Sequence, residues 1–224
     1  MTLKLVIWDM DGTLVDSRAS IQNAMADAFV ACDLVPPEFD DLRQTIGLGL
    51  HDVFRQLTPE DCHAEKLETL VEAYKQAFFK RRQAPDYHEP LYDGARETLE
   101  RLADENWLQA LATGKSHRGI RAVFESHNLG PYFDSIHCAD DGPGKPNPFM
   151  LHEAMGALGA EPMQCVMIGD AVFDMQMGRA AGMHSLGVSW GFGAAHELTE
   201  AGAHDVHHTF ETLNAALDGF GVRA

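Results

Sequence analysis

Apolar residues fall into two kinds of run along the chain. Short unbroken runs such as "LVIW" at 5–8 and "CVMI" at 165–168 have no polar face, the pattern of strands buried on both sides. Elsewhere apolar residues recur every three to four positions, the pattern of helices with one buried face. After residue 90 the two kinds alternate. "GARETLERLADEN" predicts a helix and "WLQALAT" a strand, then "SHRGIRAVFESHN" a helix with Ser116 as its N-cap and "FDSIHCAD" a strand. "NPFMLHEAMGALGA" follows as a helix with Pro148 in its first turn, then "CVMIGD" as a strand and "FDMQMGRAAG" as a helix. "HSLGVS" is a strand, "AHELTEAG" a short helix, "DVHH" an edge strand and "TFETLNAALDGF" the last helix. Such alternation predicts βαβ units and an α/β fold, a parallel sheet with helices on both faces.

Residues 17–86 break the rhythm. "SIQNAMADAFVACD" and "HAEKLETLVEAYKQAFFKRRQ" are helical by period, and no strong strand signal lies between them. The expected organisation is a Rossmann-like core of residues 1–16 and 87–224, interrupted after its first strand by a helical cap at 17–86. Pro85 and Pro90 flank the return. With 224 residues, the chain suits one large domain, or a core with a smaller second module.

The balance of 17 basic against 34 acidic residues gives a formal charge of −17. That argues against general binding to nucleic acid or to an anionic membrane surface, but not against a small anionic ligand met by a metal or a lysine. No stretch reads as a membrane span or a secretory leader. Cys32, Cys62, Cys138 and Cys165 are scattered and form no CxxC pair. They read as reduced, packed cysteines of a cytoplasmic protein.

Ligands of open parallel sheets bind beyond the carboxyl ends of the strands, so the residues there carry the functional question. The first strand runs into Asp9, Asp11 and Gly12 in "WDMDGT". "ALAT" ends in Thr113 before Gly114, "DGPGKPNP" carries Lys145 after the next strand, and "CVMIGD" delivers Asp170 with Asp174 four residues on. Each carboxylate alone has an ordinary reading as a turn or first-turn acid. Together they need a counter-charge, because two unit charges about 4 Å apart repel by about 4 kcal/mol at an effective dielectric near 20. An all-oxygen donor set with no zinc-like His or Cys suits Mg²⁺.

"DMDGT", a strand ending in Thr, "GKPNP" and "GDAVFD", in this order, resemble the four motifs of the haloacid dehalogenase superfamily along nearly the whole chain. The tail "GVSWGFGAAHELTEAGAHDVHHTFETL" resembles its phosphoglycolate-phosphatase-like branch. The resemblance implies that Asp9 is a nucleophile forming an aspartyl-phosphate, and that Asp11 protonates the leaving alcohol and then activates water. Thr113, Lys145 and backbone N–H groups near Gly12 and Gly114 would bind the phosphate. Asp9, the backbone carbonyl of Asp11 and Asp170 would hold Mg²⁺, with Asp174 holding a metal water or orienting Lys145. Dehalogenating members lack an acid at the position of Asp11, so a phosphate ester is the expected substrate. One departure stands out: many relatives place Asn where this chain has Gly114.

The expected function is therefore Mg²⁺-dependent hydrolysis of a small-molecule phosphate monoester, with phosphoglycolate a first substrate to try. A β-phosphoglucomutase-like sugar phosphomutase and a non-catalytic regulator retaining the fold are the alternatives. Outside the motifs, Lys115 and Ser116 read as a helix start, and Arg81 and Arg82 as cations at a helix C-terminus. The "TIGLGL" loop at Gly47–Gly49 and Trp190 are candidates for facing the crevice or packing the cap. His204, His207 and His208 read as a solvated edge.

Overall fold

The computed structural model describes residues 3–59, 62–85 and 87–221. The predicted cap boundary at residue 86 lies outside them. Six strands form one all-parallel sheet: β1 Leu5–Trp8, β2 Leu108–Thr113, β3 Ser135–Cys138, β4 Cys165–Gly169, β5 His184–Val188 and β6 Asp205–His207. Their order is β3-β2-β1-β4-β5-β6. The chain moves outward from β1 to β3, then crosses to β4 on the other side of β1. The order therefore reverses between β1 and β4, where a crevice opens at the carboxyl edge.

Two apolar layers sandwich the sheet, and the period-two pleat sorts the side chains between them. Val6 and Trp8 of β1 join Val166 and Ile168 of β4 on one face. That face is covered by α5 (Ala95–Asp104), α6 (His117–His127) and α10 (Phe210–Asp218). Leu5, Ile7, Cys165 and Met167 point to the opposite face, against α7 (Phe149–Leu158) and Met177 of α8 (Val172–Ala180). A short α9 (Ala195–Glu200) precedes the edge strand. The Trp8 indole donates to Gln109 Oε1 at 3.2 Å, and Gln109 Nε2 donates to the Leu99 carbonyl at 2.8 Å. These polar groups thus enter the core without an unmet hydrogen bond. Ser116 caps α6 as predicted, its hydroxyl accepting from the Gly119 N–H. Pro148 is the N-cap of α7 and not a first-turn residue.

Residues 17–85 contain helices and, among the described residues, no strand: α1 Arg18–Ala31, α2 Phe39–Arg43, α3 Leu50–Leu57 and α4 Ala64–Arg82. The short α2 and α3, of five and eight residues, were not expected from the sequence. These helices build a third apolar cluster of their own, with Met25 and Phe29 of α1 against Phe54 of α3 and Val71 and Phe78 of α4. Phe192, from the loop after β5, joins it from the sheet side. The outgoing and returning chains run together. Val15 bridges Leu91 antiparallel, the Asp16 N–H donates to the Pro90 carbonyl at 2.8 Å, and the Tyr92 N–H donates to the Leu14 carbonyl at 3.0 Å. Arg18 donates to the Gly191 carbonyl, and Arg43 pairs with Glu197 at 3.1 Å, so polar ties also join the helical layer to the loops above the sheet. Among the described residues, no helix is long and apolar enough to cross a membrane.

Candidate active site

Every residue singled out at a strand end sits at the carboxyl edge of the sheet. The register that pairs Trp8 with Ile168 places Asp9 and Asp170 on neighbouring strands at the point where the strand order reverses. The Asp9 N–H extends that ladder by donating to the Ile168 carbonyl at 2.9 Å. Rigid, fully buried strands thus fix the two carboxylates side by side.

Asp174 reaches the same point from the first turn of α8. Its Oδ2 accepts from the Ala171 N–H at 3.0 Å, which caps the helix, while its Oδ1 lies 2.7 Å from Lys145 Nζ. Lys145 Nζ is also 2.7 Å from Asp9 Oδ1. Both are close ion contacts lying off ideal hydrogen-bond directions. A Cβ on Gly169 would stand 2.3 Å from the Asp174 carboxyl carbon, so that position must lack a side chain for Asp174 to fold back. Gly12 does the same for Asp170. It adopts φ +87°, and a Cβ there would lie 2.2 Å from Asp170 Oδ2.

Asp170 is held from two sides. The Thr13 hydroxyl donates to Oδ1 at 2.8 Å and the Phe192 N–H donates to Oδ2 at 2.7 Å. Oxygens of Asp9, Asp170 and Asp174 lie within 4.8 Å of one another, all buried. Three carboxylates against one ammonium leave two negative charges uncompensated. Burial pushes Asp9 up to about 7, even though Lys145 pulls the other way. Burial, then repulsion from Asp9 and Asp174, pushes Asp170 well above the carboxylate range. Burial opposes the Lys145 ammonium, yet Asp174 and Asp9 raise its pKa above the ordinary lysine value. An anionic, desolvated, all-oxygen cluster of this kind fits a hard divalent cation, which would remove the charge excess that now disfavours ionised Asp9 and Asp170.

Asp9, Asp11, Thr113 and Gly114 face a cavity of about 410 Å³ whose opposite wall is the helical layer, including Leu48, Tyr74 and Phe78. This volume lies in the range of small-molecule sites. The Gly47–Gly49 loop lines it, as expected for a crevice-facing loop. The same loop accounts for Gly114: a Cβ at 114 would come within 2.9 Å of the Gly47 carbonyl oxygen and 3.3 Å of that of Leu48. Backbone of the helical layer occupies the space that a side chain would need.

Other expectations resolve differently. Arg81 pairs with Asp27 at 2.7 Å, whereas Arg82 lines the cavity. Among the described residues, Trp190 is found neither in the cavity lining nor in the apolar cluster of the helical layer. Its indole donates to the Thr13 carbonyl at 3.0 Å, and its ring lies 4.6 Å from that of Phe210. His204 receives the Ser185 N–H while His208 meets Ser189, so the histidines do not converge. Sequence reading missed the roles of Thr13 and Phe192 in holding Asp170, and above all Lys115. That lysine is more than a helix start: its side chain is buried and its Nζ lies 2.7 Å from Asp11 Oδ1.

Comparison with known proteins agrees with this architecture. The family profile described as haloacid dehalogenase-like hydrolase matches residues 6–188. A protein named probable phosphatase IndB from Dickeya dadantii is 36% identical over 217 residues, covering 95% of this chain and 93% of its own length. A phosphoglycolate phosphatase from Aliivibrio fischeri is 29% identical, with 96% of each chain covered. Among solved structures, a hydrolase from Pseudomonas syringae superimposes with a TM-score of 0.86 at 29% identity, covering 96% of this chain and 98% of its own. On motif, fold and likeness alike, this chain belongs to the haloacid dehalogenase-like hydrolase family.

Proposed function

We propose that this chain is a Mg²⁺-dependent phosphatase that hydrolyses a small-molecule phosphate monoester through an aspartyl-phosphate on Asp9. The observation that supports this best is the buried cluster of Asp9, Asp170, Asp174 and Lys145 at the strand-order reversal, which meets through Asp9 a cavity walled in part by the helical layer.

In this reading an Asp9 carboxylate oxygen attacks phosphorus, and the bond to the leaving oxygen breaks as Asp11 gives that oxygen a proton. Water then attacks phosphorus, the bond to Asp9 breaks, and Asp11 takes the proton back. The first step leaves Asp11 in the state that the second requires. Thr113 and Lys145, with backbone N–H groups near Gly12 and Gly114, meet the charge spread over the phosphoryl oxygens. Asp9, the Asp11 backbone carbonyl and Asp170 would hold Mg²⁺, which when bound offsets both the carboxylate charge and that of the phosphoryl group. Asp174 keeps Lys145 directed at Asp9. Residues 17–86 act as a cap whose closure excludes water and selects the alcohol.

The direct test is phosphate release from a panel of metabolite phosphate esters, phosphoglycolate included. Release is expected with Mg²⁺ and is expected to fall by about a hundredfold or more with a chelator. Equal rates in the two conditions would remove the metal from the reading. A second expectation concerns Gly114. Gly114→Asn pushes against the backbone of Gly47 and Leu48, and strain of about 1–2 kcal/mol on the closed cap raises KM by roughly five- to thirtyfold. Steady-state kinetics showing an unchanged KM would mean that the loop does not close on this residue.

A further inference from the structure

Lys115 is a buried cation that lies outside the Asp9, Asp170, Asp174 and Lys145 cluster and lines the cavity beside Asp11. It follows Gly114 at the end of β2, and its side chain is only 6% exposed. The stem lies in a notch on α6, where a Cβ on Gly119 would stand 2.6 Å from Lys115 Cγ and 3.1 Å from Cδ. Its Nζ is 2.7 Å from Asp11 Oδ1 and 3.8 Å from Glu89 Oε1, and it lies 5.3 Å from the centre of the Phe78 ring. Glu89 is itself buried, its Oε1 has no hydrogen-bond partner among the described residues, and it sits on the returning chain two residues before Leu91. An exposed ion pair would carry little meaning. A lysine stripped of water, seated in a glycine notch and flanked by two carboxylates from distant segments is a built feature.

We infer that Lys115 is a positioning residue that fixes which oxygen of Asp11 carries the catalytic proton, with Glu89 holding the lysine in place. The inference rests on the phosphatase reading above. An ammonium can only donate hydrogen bonds, so the Asp11 oxygen that touches it must accept. With Oδ1 occupied in that way, the proton of Asp11 resides on Oδ2. That proton passes to the ester oxygen as the P–O bond breaks, and Oδ2 recovers it from water in the second step. Lys115 keeps its own proton throughout and touches neither the phosphorus nor the leaving oxygen. Without the clamp both carboxyl oxygens compete for the proton and the group turns freely, which loses the orientation that makes proton delivery effective.

The predicted signature is a dependence on the leaving group. The experiment measures kcat/KM, which reports the steps through phosphoryl transfer to Asp9, for p-nitrophenyl, phenyl and p-methoxyphenyl phosphate with Mg²⁺. Nitrophenolate departs without a proton, while the methoxyphenyl oxygen needs one. For Lys115→Met the expected loss is under about threefold on the nitrophenyl ester and about tenfold or more on the methoxyphenyl ester, a part of what a proton donor contributes. Lys115→Arg is expected to recover part of the difference. Gly119→Ala keeps every charge and favours the helix, yet displaces the lysine stem, so it is expected to steepen the leaving-group dependence in the same direction. An equal loss on all three esters in both Lys115→Met and Gly119→Ala would overturn the positioning role. Wild-type enzyme that releases no phosphate from these esters or from the metabolite panel, or Asp9→Asn as active as wild type, would instead overturn the phosphatase reading itself.

Discussion

Asp9→Asn is expected to lower kcat/KM by about a thousandfold or more while leaving the protein at least as stable as before. In the proposed mechanism the activity loss follows from removing the nucleophile. The stability expectation follows from the crowding. Burial, with smaller contributions from the charges of Asp174 and Asp11, holds Asp9 up to about 7 even with Lys145 in contact. The amide has nearly the same shape, still offers an oxygen to Lys145, and cannot add to the repulsion. Relief of an electrostatically strained site is a common way in which activity and stability part company. Thermal melts and phosphate-release kinetics on the two proteins test both halves. A variant with more than a tenth of wild-type activity, or with a markedly lower Tm, goes against the reading.

Lys145→Met is expected to have the opposite stability effect. Lys145 is fully buried between Asp9 and Asp174, 2.7 Å from each. Removing it leaves Asp9 and Asp174 buried without their shared cation. Breaking one partner out of a buried ionic cluster costs about 3–5 kcal/mol. For a chain of this length, each kcal/mol lowers Tm by about 2–4 °C. The expected fall is therefore roughly 6–20 °C, with phosphatase activity lost as well. Mg²⁺ is expected to recover part of the lost stability, because a cation that binds the folded carboxylates and not the unfolded chain stabilises by mass action. A Lys145→Met melt within about 2 °C of wild type would mean that the carboxylates are not held ionised against this lysine.

Much of this was legible in the sequence because strand ends are. Unbroken apolar runs such as "LVIW" and "CVMI" can be little else in an α/β chain, and the residues that follow them, Asp9 and Asp170, must share the carboxyl edge once the strands are parallel. Long amphipathic helices such as α4 and α5 were readable for the same reason, their period repeating over several turns. What escaped depends on contacts between distant segments. Lys115 reads as a surface lysine opening a helix, and its burial follows only when Gly119 vacates a notch and Glu89 arrives from the returning chain. Nothing near Gly114 in the sequence shows that the Gly47 carbonyl, from a distant segment, leaves no room for a side chain there. Trp190 and Phe192 lie two positions apart on one loop, yet they pack on opposite sides, the first against Phe210 and the second against the helical layer. No local pattern distinguishes them.

The central claim is that the phosphoryl group passes through Asp9. Mass-spectrometric mapping of the enzyme, acid-quenched during turnover of p-nitrophenyl phosphate with Mg²⁺, addresses it most directly. A phosphoryl group on Asp9, absent from the Asp9→Asn variant treated alike, is the predicted result. A phosphoryl group on another side chain, or one that persists in Asp9→Asn, would contradict it.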